Sequence, residues 1–570
     1  MVARLVDLAV RRPWALLVAN LLFLAAVLAI AIAGANGLPI GSLTPTGSED
    51  AEPDLIVATT GKEPVNSAVY RVALRVISSQ VEADSAVAQV RQGPVSADGR
   101  STSLLVSLNV LNASERQDAV ERIEAGIDPG PLRVSYGGEV GAALDGRHEL
   151  ATDLWKLELL AMPFVALVLA VALGPRLAAG PVICATTAIA GALAGLVALG
   201  LVADISLLGI APAAVVGLVL GVEAPLALYS RFRAELTRVP HPEATRRAVG
   251  ALADLAIPAG VAASLVTVGL VATSLDQAPS MILGCALAAA LALLSALVCA
   301  PAIVSLAEDD RRATGEAPVT AWLARAPATL AVFLASSRRR TALSVAVAVV
   351  LMLAAAVPLL HAQSVPFSTL DLPQDSPARM AAGLAGVNKG GGGGDSLFGD
   401  LGLAAGVSAV ALLVVLGIAF SWRRALPIAL ASLLPAAAAC GLCVLVFQDG
   451  HLAGAIGQTG EGALETGATA SLLAALVSVS AARSASALQA SREANAGGPE
   501  PGSAAAWPAS FLLPAVILAS LIAAAATGVL AGASLYAARE FGLAVAVGLL
   551  LDLLLIRTPL IAALARSGPG

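Results

Sequence analysis

One carboxylate of this chain lies deep inside an apolar stretch, where a charged group has a high cost. Glu223 interrupts the run Ile205–Tyr229, and a charge at the centre of a membrane helix costs about 2.5–3.5 kcal/mol on insertion scales. A carboxylate in a medium of low dielectric takes up a proton more readily than one in water. Glu223 is therefore a candidate proton carrier.

Arg483 offers a different interpretation of Glu223, because it is the charged residue of another apolar run, Ala468–Leu488. An arginine beside Glu223 would hold the carboxylate charged and so oppose proton cycling. Three interpretations stay open: a solitary proton carrier, a fixed ion pair with Arg483, and an incidental polar position. Arg483 could instead extend its side chain to the cytoplasmic edge of the membrane.

No other residues indicate catalysis or metal binding. The five cysteines lie in apolar runs, and the CxxC spacing of Cys440 and Cys443 lacks polar neighbours and a second pair, which favours packing roles. The four histidines are scattered, and no nucleophile–base set appears. We expect a protein that is not an enzyme and that uses no metal or cofactor.

Composition places these groups in a membrane protein. Hydrophobic residues make up 58% of the 570 positions and charged residues 13%, whereas a soluble globule has about 25% charged residues. Much of the surface must therefore face lipid. The net charge of -6 argues against nucleic acid as a partner.

Apolar runs of membrane-crossing length must position the charged groups. The first, Pro13–Ala33, is interpreted as a span rather than a signal peptide, because it is long and Gly34-Ala35-Asn36 is a poor cleavage site. With it the chain has about twelve predicted spans. The others are Leu154–Gly174, Leu177–Val202, Ile205–Tyr229, Ala251–Thr273, Ser280–Leu306, Thr341–Leu360, Leu401–Phe420, Ala425–Phe447, Ala468–Leu488, Phe511–Leu530 and Phe541–Leu564.

Between the first and second spans the chain becomes polar and alternating. This pattern predicts a soluble α+β domain of split βαβ type. Its predicted strands are Leu55–Thr59, Ala83–Arg91, Thr102–Val110 and Leu132–Tyr136, and its predicted helices are Val65–Ser78 and Ser114–Ala125.

The short loops give the orientation of the chain. By the positive-inside rule, the arginine-rich loops are cytoplasmic, so both termini are predicted to be cytoplasmic and the α+β domain extracytoplasmic, in a bacterial plasma (inner) membrane. The arginines on the cytoplasmic side are Arg176, Arg231, Arg233, Arg238, Arg246, Arg247, Arg311, Arg312, Arg338–Arg340, Arg423, Arg424 and Arg492. The opposite loops carry Asp276, Asp449, Glu461 and Glu465.

The chain repeats weakly, since Cys299–Ile303 at the end of span 6 matches Thr558–Ala562 at the end of span 12. This predicts two parallel six-helix halves. The second half has only a loop, with the run Gly390–Gly394, in place of a domain. The predicted division is 1–33 (span 1), 34–153 (α+β domain), 154–306 (spans 2–6), 307–340 (cytoplasmic linker), 341–360 (span 7), 361–400 (glycine-rich outer loop), 401–488 (spans 8–10), 489–509 (cytoplasmic linker) and 510–570 (spans 11–12). Within the first linker, the basic amphipathic segment Trp322–Arg340 is expected to lie on the inner leaflet.

This layout resembles the resistance–nodulation–division (RND) superfamily, and four segments resemble its MMPL (mycobacterial membrane protein large) branch. They are Gly221–Leu236 (GVEAPLALYSRFRAEL), Glu243–Val249 (EATRRAV), Val446–Leu452 (VFQDGHL) and the region Arg539–Arg557. The resemblance implies proton-driven export of lipids or other hydrophobic molecules. In that family, Asp-Tyr pairs on the fourth and tenth spans carry the protons.

The chain departs from that pattern at both pairs, because Glu223-Ala224 and Ser484-Ala485 stand in their places. Ser264 stands where the family has a serine or threonine near the relay, although a serine bonded to its own helix backbone is the other interpretation. The relay candidates are thus Glu223, Ser264, Arg483 and Ser484. Asp552 and Arg557 are five positions apart, too far for an ideal helical pair, and a structural, orienting role is expected for both.

Two functions follow from the resemblance and the departures. One is an MMPL-like exporter of a lipid or other hydrophobic solute, with protons as a coupling ion through Glu223. The other is a non-transporting relative that binds lipid or acts as a scaffold. A second copy of the chain or an accessory subunit is a further candidate partner.

Overall fold

Long apolar helices dominate the computed structural model of the chain. The structure describes residues 8–9, 11–34, 53–109, 113–201, 205–272, 277–306, 333, 337–365, 372–373, 375–385, 395–420, 422–451, 463–497 and 506–560. Within these ranges, eleven helices are long and apolar enough to cross a membrane, and Leu160–Leu173 is a shorter apolar helix. The predicted polytopic bundle is confirmed.

We number the spans in chain order, with Leu160–Leu173 as part of span 2. Their helices are Pro13–Gly34, Gly138–Leu173, Pro175–Gly200, Ile210–Leu236, His241–Val266, Ala278–Leu306, Arg338–Ala356, Leu397–Ala419, Trp422–Cys443, Thr466–Gly497, Ala506–Gly528 and Tyr536–Leu551. Short 3₁₀ turns lie at Leu207–Gly209, Thr267–Ala272, Val357–His361 and Val529–Gly532. Two helices continue into π-helical turns, Val444–Gln448 after span 9 and Asp552–Arg557 in span 12.

The domain between spans 1 and 2 is a four-stranded antiparallel sheet with two helices, as the α+β prediction requires. Its elements are β1 (Leu55–Thr60), α1 (Ala68–Glu82), β2 (Val87–Gln92), β3 (Ser101–Leu108), α2 (Ala113–Gly126) and β4 (Arg133–Gly137). The strand order is β2-β3-β1-β4, with Leu55 opposite Val106 and Ile56 opposite Gly137. Leu74 and Ile77 of α1 and Ile123 of α2 share one apolar core with the sheet.

One unbroken helix, Gly138–Leu173, joins this domain to span 2. The predicted domain boundary at residue 153 falls inside this helix. There the buried Asp153 accepts hydrogen bonds from the backbone N–H groups of Ser534 (2.7 Å) and Leu535 (3.2 Å), just before span 12 begins. The domain is therefore fixed to the second half of the bundle as well as the first.

The loop of the second half also contains ordered structure. A short helix, α3 (Pro377–Ala385), packs its alanines on the open sheet face against Ile56 and Ala58. The Asp145 carboxylate accepts a hydrogen bond from the N–H of Ala378 (3.0 Å) at the start of α3. Three short strands, β5 (Gln363–Val365), β6 (Asp395–Ser396) and β7 (Leu464–Glu465), pair nearby. The run Gly390–Gly394 and most of Trp322–Arg340 lie outside the described residues.

Spans 4 and 10 occupy the centre of the bundle. Their apolar segments are 89% and 94% buried, against 22% in span 1 and 17% in span 7. At Gly221 of span 4, an added Cβ would lie 2.6 Å from the Cα of Ala185, so only glycine allows spans 3 and 4 to approach this closely. A charged residue on span 4 or span 10 is therefore removed from lipid.

Candidate functional site: a buried ion network

Four charged side chains meet at the centre of the bundle. The Arg483 Nε of span 10 lies 2.8 Å from Glu223 Oε2 of span 4, and Arg483 Nη1 lies 3.0 Å from Asp552 Oδ2 of span 12. Arg557 Nη2 lies 2.9 Å from Asp552 Oδ1. All four side chains are at most 8% exposed. Glu223 is therefore one end of a chain of ion pairs and not a solitary carboxylate.

The pairing of Asp552 with Arg557 corrects a prediction from the sequence. Arg557 Nε lies 3.0 and 3.1 Å from the two Asp552 oxygens, although the two residues are five positions apart in the chain. The expectation that the two side chains would not face each other assumed an α-helix. The segment Asp552–Arg557 is instead a π-helical turn, in which positions five residues apart face each other.

Three serines add hydrogen bonds to the network. Ser484 Oγ accepts a hydrogen bond from Arg557 Nη1 (3.0 Å) and lies 2.7 Å from Ser432 Oγ of span 9. The Ser480 carbonyl accepts from Arg557 Nη2 (2.9 Å), and its hydroxyl donates to Asp552 (3.2 Å). Arg483 Nη2 is buried and has no hydrogen-bond partner within the described residues. The network thus joins spans 4, 9, 10 and 12.

The formal charges of the network cancel, with two carboxylates against two guanidinium groups. Burying ions carries a large desolvation cost, which is recovered only with good geometry and full hydrogen bonding. One added proton on either carboxylate would leave a net positive charge in a medium of low dielectric. Such an arrangement can link proton binding to the packing of the helices that hold it.

The structure brings together three of the four relay candidates: Glu223, Arg483 and Ser484. Ser264 is not among them, because its Oγ donates to the carbonyl oxygen of Gly260 (2.8 Å), four residues earlier in its own helix. This is the bond to its own helix backbone that the sequence left open. A role for Ser264 in the network has no support from this geometry.

Sequence reasoning missed Ser480 and Ser432 as network residues and assigned Asp552 and Arg557 only an orienting role. A usable signal was present for Ser480, which lies one helical turn before Ser484 and beside Arg483. Ser432 is a lone serine in an apolar run, and no local pattern distinguishes it.

A second pair of buried carboxylates lies where span 10 begins. The N–H of Glu465 donates to Glu540 Oε2 of span 12 (3.1 Å), and Thr469 Oγ1 donates to Glu540 Oε1 (3.0 Å). Glu465 in turn accepts a hydrogen bond from the N–H of Gly467 (2.8 Å) at the start of its own helix. These carboxylates fix the start of span 10 to span 12. No group of three or more candidate metal ligands occurs in the described part of the chain.

Comparison with known proteins assigns the chain to a family. The sequence model of the MMPL family matches residues 40–330, just over half of the 570 residues. This chain belongs to the MMPL family. The match includes the α+β domain and Glu223, whereas Arg483, Asp552 and Arg557 lie beyond its end.

This MMPL protein is also similar to individual proteins in sequence and in fold. A Streptomyces coelicolor chain described as a membrane protein is 30% identical over 303 residues, 50% of this chain and 41% of that protein. The alignment thus spans less than half of its length. The fold resembles SecDF, a translocon-associated membrane protein from Thermus thermophilus, with TM-score 0.58 at 14% identity over 96% of this chain and 98% of SecDF. SecDF in its super-membrane-facing form gives TM-score 0.51, also at 14% identity, over 96% and 91%.

Proposed function

We propose that this MMPL-family membrane protein exports a lipid or another hydrophobic solute, and that the buried ion network couples the export to protons. The observation that carries the proposal is the 2.8 Å contact between Glu223 of span 4 and Arg483 of span 10. It is a charged contact between the central helices of the two halves, the place where a change of charge can alter their packing. An arginine at this distance opposes proton uptake in the packing seen here, so uptake by Glu223 requires the contact to break.

Glu223 is the carboxylate that would take up the proton. It faces one guanidinium group of the network through a single contact, whereas Asp552 contacts both arginines and accepts a hydrogen bond from Ser480. Each added cation and donor favours the charged form of a carboxylate. Asp552 therefore has more cationic and hydrogen-bonding partners than Glu223.

Protonation of Glu223 would remove the charge balance of the ion network. Arg483 would keep Asp552 as its charged partner, and the network would carry a net positive charge in a medium of low dielectric. Separation of span 4 from span 10 would let water reach the guanidinium group and reduce that cost. Two packings with different proton affinity are the requirement for coupling proton binding to a conformational change.

The test compares two identical substitutions on span 4. Wild type, Glu223→Gln and Glu235→Gln are reconstituted in liposomes, and movement of fluorescent NBD-labelled phosphatidylglycerol between leaflets is followed under an imposed pH gradient. Glu235 is the matched control, because it too is buried and paired with arginine, with Arg231 Nη2 at 3.2 Å. It lies about 18 Å farther along the helix.

We expect Glu223→Gln to lower the gradient-dependent rate at least about tenfold, equivalent to about 1.4 kcal/mol, and Glu235→Gln to change it less than about twofold. Equal rates for the two variants would contradict coupling through Glu223.

The alternative, a non-transporting lipid-binding or scaffolding protein, is favoured by the balanced charge of the network, since a fixed ion pair needs no proton. It would be supported if wild type moved no labelled lipid under any gradient while a native lipid remained bound through purification.

A further inference from the structure

A cavity of about 630 Å³ opens in the extracytoplasmic domain between α1 and the strands β2 and β3. It belongs to one domain and is separate from the ion network. Its volume lies within the range of about 300–1,000 Å³ that is common for small-molecule sites. Its wall combines apolar residues with two arginines and three neutral polar residues, Asn66, Ser78 and Gln92. Apolar and cationic groups in one wall suit an amphiphile with an anionic headgroup.

The inner wall of the cavity is apolar. Leu74 of α1 and Leu104 of β3, which are 8% and 3% exposed, belong to the core of the domain, and Val65 and Val90 lie beside them. Helix and sheet therefore separate at this end, and the cavity reaches the core. An alkyl chain that entered here would remove apolar surface from water on both sides.

Arg71 and Arg75 also line the cavity, one helical turn apart on α1, so that both guanidinium groups can reach one anion. Neither side chain makes an ion pair or hydrogen bond with any residue that the structure describes, whereas Arg116 and Arg122 of the same domain pair with Asp54 and Asp84. Arginine binds phosphate oxygens with two parallel hydrogen bonds.

We propose that this cavity binds one anionic phospholipid, with its phosphate between Arg71 and Arg75 and an acyl chain against Leu74 and Leu104. The proposal rests on the proposed function, since it names the chemical class of the exported solute and where it binds outside the membrane. It does not require proton coupling, so binding and transport can be tested separately.

The test uses the full chain in maltoside detergent and no pH gradient. A phosphatidylglycerol analogue with a photoactivatable acyl chain is cross-linked to the protein, and the labelled peptides are identified by mass spectrometry. The charge-removal variant is Arg71→Gln with Arg75→Gln. Its matched control is Arg133→Gln, an exposed arginine of β4 at the opposite edge of the sheet.

We expect labelling within residues 64–104, a loss of at least fivefold in the double variant, and wild-type labelling in Arg133→Gln. Val95→Asn tests the apolar part independently, because Val95 lines the cavity and is 51% exposed, and the change adds polarity without adding charge. We expect it to lower labelling at least threefold. Unchanged thermal unfolding of each variant shows that its fold is intact.

Two results would overturn the proposal. They are equal labelling of the double variant and Arg133→Gln, and equal labelling by a phosphatidylcholine analogue with the same acyl chain. Labelling without gradient-driven movement would keep the lipid site and reject transport. Gradient-driven movement of lipid without labelling of this cavity would keep transport and reject the lipid site.

Discussion

At the scale of single residues, Arg557 has the largest fully buried side chain in the described part of the chain. Its guanidinium group is satisfied by Asp552, Ser480 and Ser484. Arg557→Met keeps most of the volume but leaves Asp552 with one cation. Because removing one partner of a buried ion pair leaves an uncompensated charge, we expect a loss of about 3–5 kcal/mol in unfolding free energy.

Thermal unfolding of the purified chain can be read with a fluorogenic thiol dye, because all five cysteines are free and buried. The control is Arg238→Met, an exposed arginine of the loop between spans 4 and 5. The double variant Asp552→Asn with Arg557→Met should lose less than the two single losses added together, since it removes both charges. If Arg557→Met unfolds at the temperature of Arg238→Met, the network contributes nothing to stability.

The partly buried carboxyl group of Glu124 in α2 predicts that the stability of the α+β domain depends on pH. Burial, with smaller contributions from the negative charges of Asp145 and Glu121, raises the pKa of Glu124 to about 7. The folded state therefore binds a proton that the unfolded state has released, and this contribution to stability falls as the pH rises from about 4.5 to about 7.

Glu124→Gln should remove this dependence. Its unfolding temperature, followed by circular dichroism, should equal that of wild type near pH 4.5 and exceed it at pH 8. The matched control, Glu115→Gln, lies exposed on the same helix and should keep the wild-type slope. A variant that is no more stable than wild type at pH 8 would show that Glu124 is not protonated near neutral pH in the fold.

Which residues could be found from sequence depended on how local their signal is. Glu223 and Arg483 were found because charge inside an apolar run is visible in one stretch of sequence. Their contact is 260 positions apart along the chain, so the sequence alone left it as one of three interpretations. The ion pair of Asp552 with Arg557 was missed because the number of residues per turn of a helix cannot be read from apolar spacing alone.

At the scale of elements, the length of the apolar runs predicted the spans, because a helix satisfies its backbone hydrogen bonds within one segment. The alternation of apolar and polar residues predicted the strands of the domain, because their side chains alternate between buried and exposed faces. The helix α3 was not predicted, because its nine residues are stabilised by contact with a distant sheet. Its alanine face packs on Ile56 and Ala58, a surface that the local sequence does not specify.

The π-helical turn of span 12 predicts the effect of deleting a single residue. A π-turn holds one more residue than an α-turn, so deleting Leu554, which is lipid-exposed at 64%, should restore an α-helix with Asp552 and arginine now four residues apart. Deleting Leu550 from the regular helix before it should instead rotate everything that follows by about 100°.

We therefore expect the Leu554 deletion to keep its unfolding free energy within about 1 kcal/mol of wild type, and the Leu550 deletion to lose about 3–5 kcal/mol, as a broken buried pair does. Thiol-dye unfolding and lipid movement measure both variants. If the two deletions were equally damaging, the turn would not act as a one-residue insertion.

At the scale of the whole molecule, the two halves contact each other at the centre of the bundle and again near the α+β domain. The ion network joins spans 4 and 12 through Arg483 at the centre, and Asp153 joins the domain helix to the start of span 12. The domain should therefore move with the bundle, so a change of packing at Glu223 can reach the cavity of the domain. This is the physical link between the proposed proton site and the proposed lipid site.

That link requires the domain and the arginine-rich loops to lie on opposite sides of the membrane, which labelling can decide. Arg133→Cys places a thiol on the domain and Arg238→Cys places one in the loop between spans 4 and 5, and both positions are exposed. The native cysteines are buried and should give a low background. In spheroplasts, a membrane-impermeant maleimide should label Arg133→Cys at least tenfold more than Arg238→Cys, and permeabilisation should make the two equal. Strong labelling of Arg238→Cys without permeabilisation would place the arginine-rich loops outside the membrane. It would reject the orientation, which was inferred from the rule that positively charged loops stay on the cytoplasmic side.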